Sequence, residues 1–177
     1  MGADRTERGV EMMDEKPIGM DSSGAEALKE AVIAMLNEYP DLDGRTVGFS
    51  SLTEDGGISM EPDSGALIYK EKKDIIGGVH QECRFPFFVV YRANVSSEFL
   101  KMKINEFLDK MGAWLCKEPV TIDGEEYQLS EYPAITGGRK ITGVTRFNSY
   151  ALEPNANKTQ DWVIPITVNY THEFTMW

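Results

Sequence analysis

The feature that most constrains the fold is a long strand pattern that runs from Val79 to Ala93. Its apolar side chains fall on two faces, one with Phe88 and Val90 and the other with Cys83, Phe85, Phe87, Val89 and Tyr91. Because apolar residues point both ways, we expect a strand whose sheet is at least partly covered on each side. Pro86 cannot donate a ladder hydrogen bond, so we predict an edge position or a bulge there.

Two segments show the periodicity of amphipathic helices. The first begins near Ser23, which forms a capping-box pattern with Glu26, while Ser22 is a second cap candidate. It ends before Pro40, because the residue preceding a proline avoids the helical region. Its buried face consists of Leu28, Val32, Met35 and Leu36. The second helix follows Ser97 and has a wide apolar stripe of Leu100, Ile104, Phe107, Leu108, Met111 and Leu115.

The remaining elements are short strands joined mostly by turns. Strands are predicted at 45–52, 58–61, 66–72, 141–152 and 162–174. Val120–Tyr127 is a hairpin, because its Asp-Gly pair suits a type I′ turn. The order predicts an α+β domain, a mainly antiparallel β-sheet with two α-helices packed on it. We expect one domain over residues 21–177, preceded by a disordered arm over residues 1–20 that is polar and aperiodic.

The charge balance limits the classes of partner. The chain has 18 basic and 29 acidic residues, a net charge of −11. Such a chain is poorly suited to gripping phosphate backbones through counterion release, although it could line a passage through which DNA slides. Solubility alone also accounts for the acidic surplus. No segment approaches the ~20 apolar residues of a membrane span, and the N-terminus lacks the apolar core of a signal peptide.

No pattern of residues points to catalysis. The sequence lacks a P-loop and a Gly-x-Ser-x-Gly elbow, and His80 and His172 have no metal-ligand spacing. The glycine-rich segment 137–143 leads into a strand, so no helix N-terminus is available there to hold an anion. Cys83 and Cys116 are expected to be reduced, buried, small apolar residues. We therefore predict no catalytic, cofactor-binding or metal-binding residue, and a protein that is not an enzyme.

Three segments together resemble one protein family. They are Tyr39-Pro-Asp-Leu-Asp-Gly-Arg45, Ile58-Ser-Met-Glu-Pro-Asp-Ser-Gly65 and the strand Phe85–Arg92. A weaker similarity is found at Trp114-Leu115 and Trp162–Tyr170. In order and spacing they resemble the tail terminator, or minor capsid, proteins of long-tailed bacteriophages. The resemblance covers about Met35 to Phe174. None of these segments is a catalytic signature.

The resemblance implies a structural role in the virion. It implies an α+β subunit that forms a homohexameric ring at the head-proximal end of the tail, after assembly in the cytoplasm of the host bacterium. The ring would stop polymerisation of the tail tube protein and join the tail to head-completion, or stopper, proteins. It would use no cofactor, and DNA would pass through its lumen without specific binding. This chain departs from the family pattern in its N-terminal arm, an extended Lys70–Gly78 hairpin and a polar insertion at Leu152–Asp161.

Subunits would pair through sheet edges or the protruding hairpin. We predict candidate subunit or partner contacts at Tyr69, Lys70, Lys72, Lys73, Ile75, Ile76, Arg92, Arg146 and Trp177. Trp177, a terminal aromatic residue, either packs on its own domain or is offered to a neighbour. Two alternatives remain open. One is another head–tail connector, a stopper or adaptor, and the other is a monomeric α+β domain that binds a small ligand between its sheet and helices.

Overall fold

The computed structural model of the protein describes residues 15–94 and 97–176. Helix α1 spans Ser22–Leu36 and helix α2 spans Glu98–Leu115. The strands are β1 (Gly19–Met20), β2 (Val47–Phe49), β3 (Gly57–Pro62), β4 (Leu67–Lys73), β5 (Gly78–Asn94), β6 (Val120–Ile122), β7 (Glu125–Tyr127), β8 (Arg139–Arg146), β9 (Tyr150–Ala151) and β10 (Thr159–Thr175). All ladders are antiparallel except the short β2–β3 pair. The predicted α+β class is confirmed.

A long two-stranded ribbon forms the centre of the main sheet. Strands β5 and β10, each 17 residues long, pair without a break from Gly78–Thr175 to Asn94–Thr159. At about 3.3 Å per residue, the ribbon is about 55 Å long. Strands β3 and β4 pair with the outer side of β5, and β8 and β9 pair with the outer side of β10.

The expected edge position of Pro86 is wrong, because β5 is a central strand. Pro86 opposes Thr167 in the ribbon, and its carbonyl faces outwards to accept a hydrogen bond from Asp63 N at 3.3 Å. In an antiparallel strand the N–H and C=O of one residue point to the same side. The ring nitrogen of Pro86 therefore faces the gap where β3 ends and β4 begins. Pro165 occupies the equivalent gap between β8 and β9, and its carbonyl accepts from Phe147 N at 3.1 Å.

The two faces of the sheet differ in what covers them. Both helices pack on the face that carries Phe85 and Phe87, which are 0% and 1% exposed. The predicted helical faces lie in this core, except Leu100, which is 37% exposed. Phe88 and Val90 point to the opposite face and are not part of the helix-covered core. We call that second face the open face.

Helix α1 is capped by a residue that the sequence patterns did not select. The N-cap is Asp21, whose Oδ1 accepts a hydrogen bond from Gly24 N at 3.1 Å. The predicted caps Ser22 and Ser23 lie inside the helix instead. Asp21 is fixed by Arg139, whose Nη2 and Nε donate to its two oxygens at 2.8 and 2.9 Å. A tertiary ion pair thus decides where the helix begins.

Asp21 and Arg139 belong to a buried polar cluster at the N-terminus of α1. The Tyr170 hydroxyl donates to Asp21 Oδ2 at 2.7 Å, and His172 Nδ1 lies 4.0 Å from the same oxygen. Burial raises the pKa of Asp21, but the hydrogen bonds from Arg139 and Tyr170 outweigh it, and the pKa falls to about 2. Burial and the Arg139 guanidinium lower the pKa of His172.

This cluster predicts a loss of stability with acid in two stages. The unfolded chain protonates His172 near pH 6.5 and the folded chain only at lower pH, so stability falls below about pH 6.5. The depressed pKa of Asp21 adds about 2 kcal/mol above pH 4, which is lost as the pH falls from about 4 towards 2. Urea unfolding between pH 8 and 2.5 measures both stages. We expect His172→Asn to remove the first stage and Asp21→Asn the second. A wild-type stability that is flat across this range would contradict the prediction.

Other predicted elements are confirmed with adjusted limits. The Asp123-Gly124 hairpin is present, with φ of 50° and 81° at its two turn residues. The predicted strand 141–152 is divided into β8 and β9. It breaks near Ser149, whose N donates to Asp109 Oδ1 of α2 at 2.8 Å. The side chain of Asp109 thereby draws the chain out of the sheet.

The predicted arm is described only in part, because residues 1–14 lie outside the described ranges. From residue 15 onwards the chain is attached to the sheet edge. Ile18 N donates to Ile68 O at 2.8 Å, and Glu15 pairs with Arg84 on the open face. No helix in the described part of the chain is long and apolar enough to cross a membrane.

Candidate interaction surface

The turn between β4 and β5 has a fixed backbone. Asp74 Oδ1 accepts hydrogen bonds from Ile76 N at 2.9 Å and from Gly78 N at 2.7 Å. Asp74 N donates to Gly78 O at 2.9 Å, which closes the turn. Gly77 has a φ of 89°, a left-handed conformation that favours glycine. The turn is therefore ordered without any partner.

This turn holds two apolar side chains in water. Ile75 is 103% exposed and Ile76 is 80% exposed. Met176, 54% exposed, lies beside them because its N donates to Gly77 O at 2.8 Å. Burying one such side chain contributes about 1.5–3 kcal/mol. Exposed apolar residues grouped on a fixed backbone are typical of an interaction site.

Lysines flank the isoleucines on β4. Lys70 pairs with Glu82 at 3.6 Å and Lys73 with Glu71 at 3.3 Å, and all four side chains are largely or partly exposed. Lys72 is exposed and lines a groove beside the turn. We call the set Lys72, Lys73, Ile75, Ile76 and Met176 the tip patch. It lies at one end of the β5–β10 ribbon.

The other predicted contact residues lie away from the tip. Tyr69 is on the open face, where the Arg84 guanidinium lies 4.1 Å from its ring centre. Arg92, near the far end of β5, donates to both oxygens of Asp161 at 2.7 and 2.9 Å. Arg146 pairs with Glu118 at 3.4 Å and packs against α2. Trp177 is outside the described residues. The structure thus brings together five predicted residues, Lys70, Lys72, Lys73, Ile75 and Ile76.

A second apolar surface, which the sequence did not reveal, lies on the open face. Cross-strand register places Phe88 opposite Pro165, and Val163 between Val90 and Tyr150. Phe147 lies next to Pro165 through its backbone hydrogen bond and is 75% exposed, while Tyr150 is 46% exposed. We call the set Phe88, Phe147, Tyr150 and Pro165 the open-face patch. The alternating residues of β5 were a signal in the sequence, but the positions of Phe147 and Tyr150 beside them depend on the pairing with β10.

Two acidic residues lie beside the open-face patch, on the side of β3. Glu61 opposes Phe88 across the β3–β5 ladder, and Asp63 follows at the gap beside Pro86. Among the described residues, Glu61 and Asp63 form no direct ion pair, although Glu61 is close enough to Arg92 to contribute to the raised pKa of that arginine. The patch is therefore apolar at its centre and negative on the side of β3.

Two further features of the polar groups are the buried polar cluster and the free thiol of Cys83. Over 15–94 and 97–176, no group of three or more His, Cys, Asp or Glu side chains is arranged to hold a metal ion. The members of the buried polar cluster bond to one another, so their geometry stabilises the fold. Cys83 is buried beside Tyr170, and burial raises the pKa of its thiol to about 11, which leaves it a weak nucleophile.

No family model matches the chain, and no curated protein matches it with significant similarity.

Proposed function

We propose that this protein is a structural subunit of a long-tailed bacteriophage, a tail terminator that forms a ring at the head-proximal end of the tail. The tip patch is the observation that carries the proposal. The order of the segments around Tyr39–Arg45, Ile58–Gly65 and Phe85–Arg92 supports the family. In this role the protein has no cofactor and resides in the virion, at the junction of head and tail.

The tip patch favours an assembling subunit over a monomeric ligand-binding domain. A ligand site is a concave, mostly apolar pocket. Here the most exposed apolar side chains, Ile75 and Ile76, lie on a projecting turn, which is a shape that inserts into another surface. A second protein can bury both isoleucines, whereas a small ligand cannot enclose them.

The proposed ring has three kinds of neighbour. Each subunit contacts copies of itself in a hexamer, and the ring contacts the tail tube protein on one side and a stopper protein on the other. The net charge of −11 repels the DNA that passes through the lumen, so the DNA slides without binding. Assembly takes place in the cytoplasm of the host bacterium.

Tail-tube elongation tests the proposal directly. Purified protein is added to growing tubes, and tube length and tube ends are examined by negative-stain microscopy, with mass photometry of the protein alone. A terminator caps the tube end with a ring and stops growth. A stopper or adaptor leaves tube growth unchanged, and a persistent monomer that ignores tubes contradicts the proposal altogether.

The double variant Ile75→Asp/Ile76→Asp is expected to abolish the ring. Losing two buried isoleucines removes at least about 3 kcal/mol per contact, which weakens association about 100-fold. Mass photometry across a concentration series measures the change. Met102→Asp is the matched control, because Met102 is 70% exposed on α2, away from the tip. Equal ring formation by both variants would exclude the tip as a contact.

A further inference from the structure

We propose that the open-face patch is the receptor for the tip patch of a second copy of this chain. This inference rests on the proposed ring and names the two surfaces that build it. The tip patch supplies two isoleucines and a methionine with lysines beside them. The open-face patch supplies exposed aromatic rings with carboxylates beside them.

The tip patch and the open-face patch of one subunit cannot contact each other. The tip lies at the Gly78 end of the ribbon, and Phe88 lies ten residues further along the same strand, about 33 Å away. Because β5 pairs along its whole length with β10, the ribbon cannot fold back to join them. The contact must therefore form between copies.

The two surfaces are complementary in chemistry. Phe147 and Tyr150 are exposed aromatic residues, and aromatic rings provide a large apolar surface for aliphatic side chains. Lys72 borders the tip without an ion pair among the described residues, whereas Lys73 is already paired with Glu71, and Glu61 and Asp63 border the open-face patch. Opposite charges at the rim of an apolar contact guide its orientation and raise the association rate at low salt. Tip against tip would instead place lysines together.

The contact is heterologous, because the surface that inserts differs from the surface that receives. Such a contact repeats from copy to copy until it closes in a ring or extends as a helical filament. It also leaves every internal subunit with both surfaces occupied. This is the arrangement that the proposed terminator ring requires.

Cysteine cross-linking tests the contact. The variant Ile76→Cys/Phe147→Cys is treated with a mild thiol oxidant, and the products are separated on a non-reducing gel. We expect a ladder of disulfide-linked copies. The matched control is Ile76→Cys/Phe99→Cys, because Phe99 is 68% exposed but lies on α2. A ladder in both, or in the control alone, or in neither, overturns the proposal.

Mixing two defective variants tests whether the contact is heterologous. Ile75→Asp/Ile76→Asp removes the tip, and Phe147→Asp/Tyr150→Asp removes the receptor, so each is expected to be monomeric alone. Their mixture retains one intact contact per pair and is expected to give 1:1 dimers and nothing larger. Rings in either variant alone, or only monomers in the mixture, overturn the proposal. A cooperative thermal transition and a far-UV circular dichroism spectrum like that of the wild type show that each variant retains the fold; the melting temperature itself can fall when the ring is lost.

These results separate this inference from the proposed function. If both variants still form rings that stop tube growth, the assigned contact is wrong and the terminator role stands. If the cross-linked ladder forms as expected but tube growth is unaffected, the contact stands and the terminator role is wrong.

Discussion

Replacing Arg139 with methionine is expected to lower the free energy of unfolding by about 3–5 kcal/mol. The Asp21 carboxylate and the Arg139 guanidinium are 4% and 6% exposed, and two hydrogen bonds join them. Removing the arginine leaves a buried negative charge without its partner, and protonation of that carboxyl then becomes part of folding. Chemical denaturation at pH 7 measures the loss.

A more exposed ion pair provides the control. Arg92 and Asp161 make the same two-bond contact, but their side chains are 24% and 13% exposed. Arg92→Met is therefore expected to cost only about 1 kcal/mol. The double variant Asp21→Asn/Arg139→Met should recover part of the loss, because it removes both charges. Equal losses of unfolding free energy in Arg139→Met and Arg92→Met would show that burial does not determine the contribution of the Asp21–Arg139 pair.

Replacing Phe85 with alanine is expected to cost about 3–5 kcal/mol, because it opens a cavity under both helices. Phe85 is 0% exposed, and its ring centre is 6.0 Å from that of Phe87. Neither the helices nor the ribbon can move in to fill the space without breaking their own contacts. Thermal and urea unfolding measure the effect.

Phe88 is the matched control on the same strand. It points to the open face and is only half-buried. Phe88→Ala is therefore expected to cost no more than about half as much, because less apolar surface returns to water and little cavity forms. A larger loss at Phe88 than at Phe85 would mean that the open face, and not the helix-covered face, holds the principal core.

The fold class followed from local patterns because helices and strands have different periods. Leu28, Val32 and Leu36 identify the buried face of α1 whatever the tertiary structure. The residue at which that helix begins could not be predicted from local patterns, because the choice of Asp21 over Ser23 as N-cap depends on Arg139, which is far along the chain. A capping pattern describes only neighbours in sequence, and it cannot include such a partner.

The position of the prolines shows a similar limit. Because proline has no backbone N–H, it fits in a strand where no neighbouring strand presents a carbonyl to that N–H. An edge strand is the commonest position of this kind. Pro86 and Pro165 find one inside the sheet, at gaps between two successive outer strands. Both prolines do lie where no N–H is needed, but these gaps exist only because of the strand order.

All of the tip patch except Met176 could be predicted from the sequence, and the open-face patch could not. Lys72, Ile75 and Ile76 are neighbours along the chain, so one segment reveals them. The open-face patch joins β5, β10 and the segment around Phe147, and only cross-strand register places these side by side. Patterns within one segment do not contain that register.

The central position of β10 has a consequence for biosynthesis. β10 follows all the other strands of the main sheet in chain order and pairs with β5, β8 and β9, so the sheet cannot be completed until β10 has been synthesised. Until then β5 has a bare edge along all its 17 residues, with apolar side chains on both faces. Such an edge pairs readily with other chains. A chain terminated before Thr159 is therefore expected to aggregate, and the sheet is expected to form slowly once β10 is present, because its most extensive contacts join segments distant in sequence.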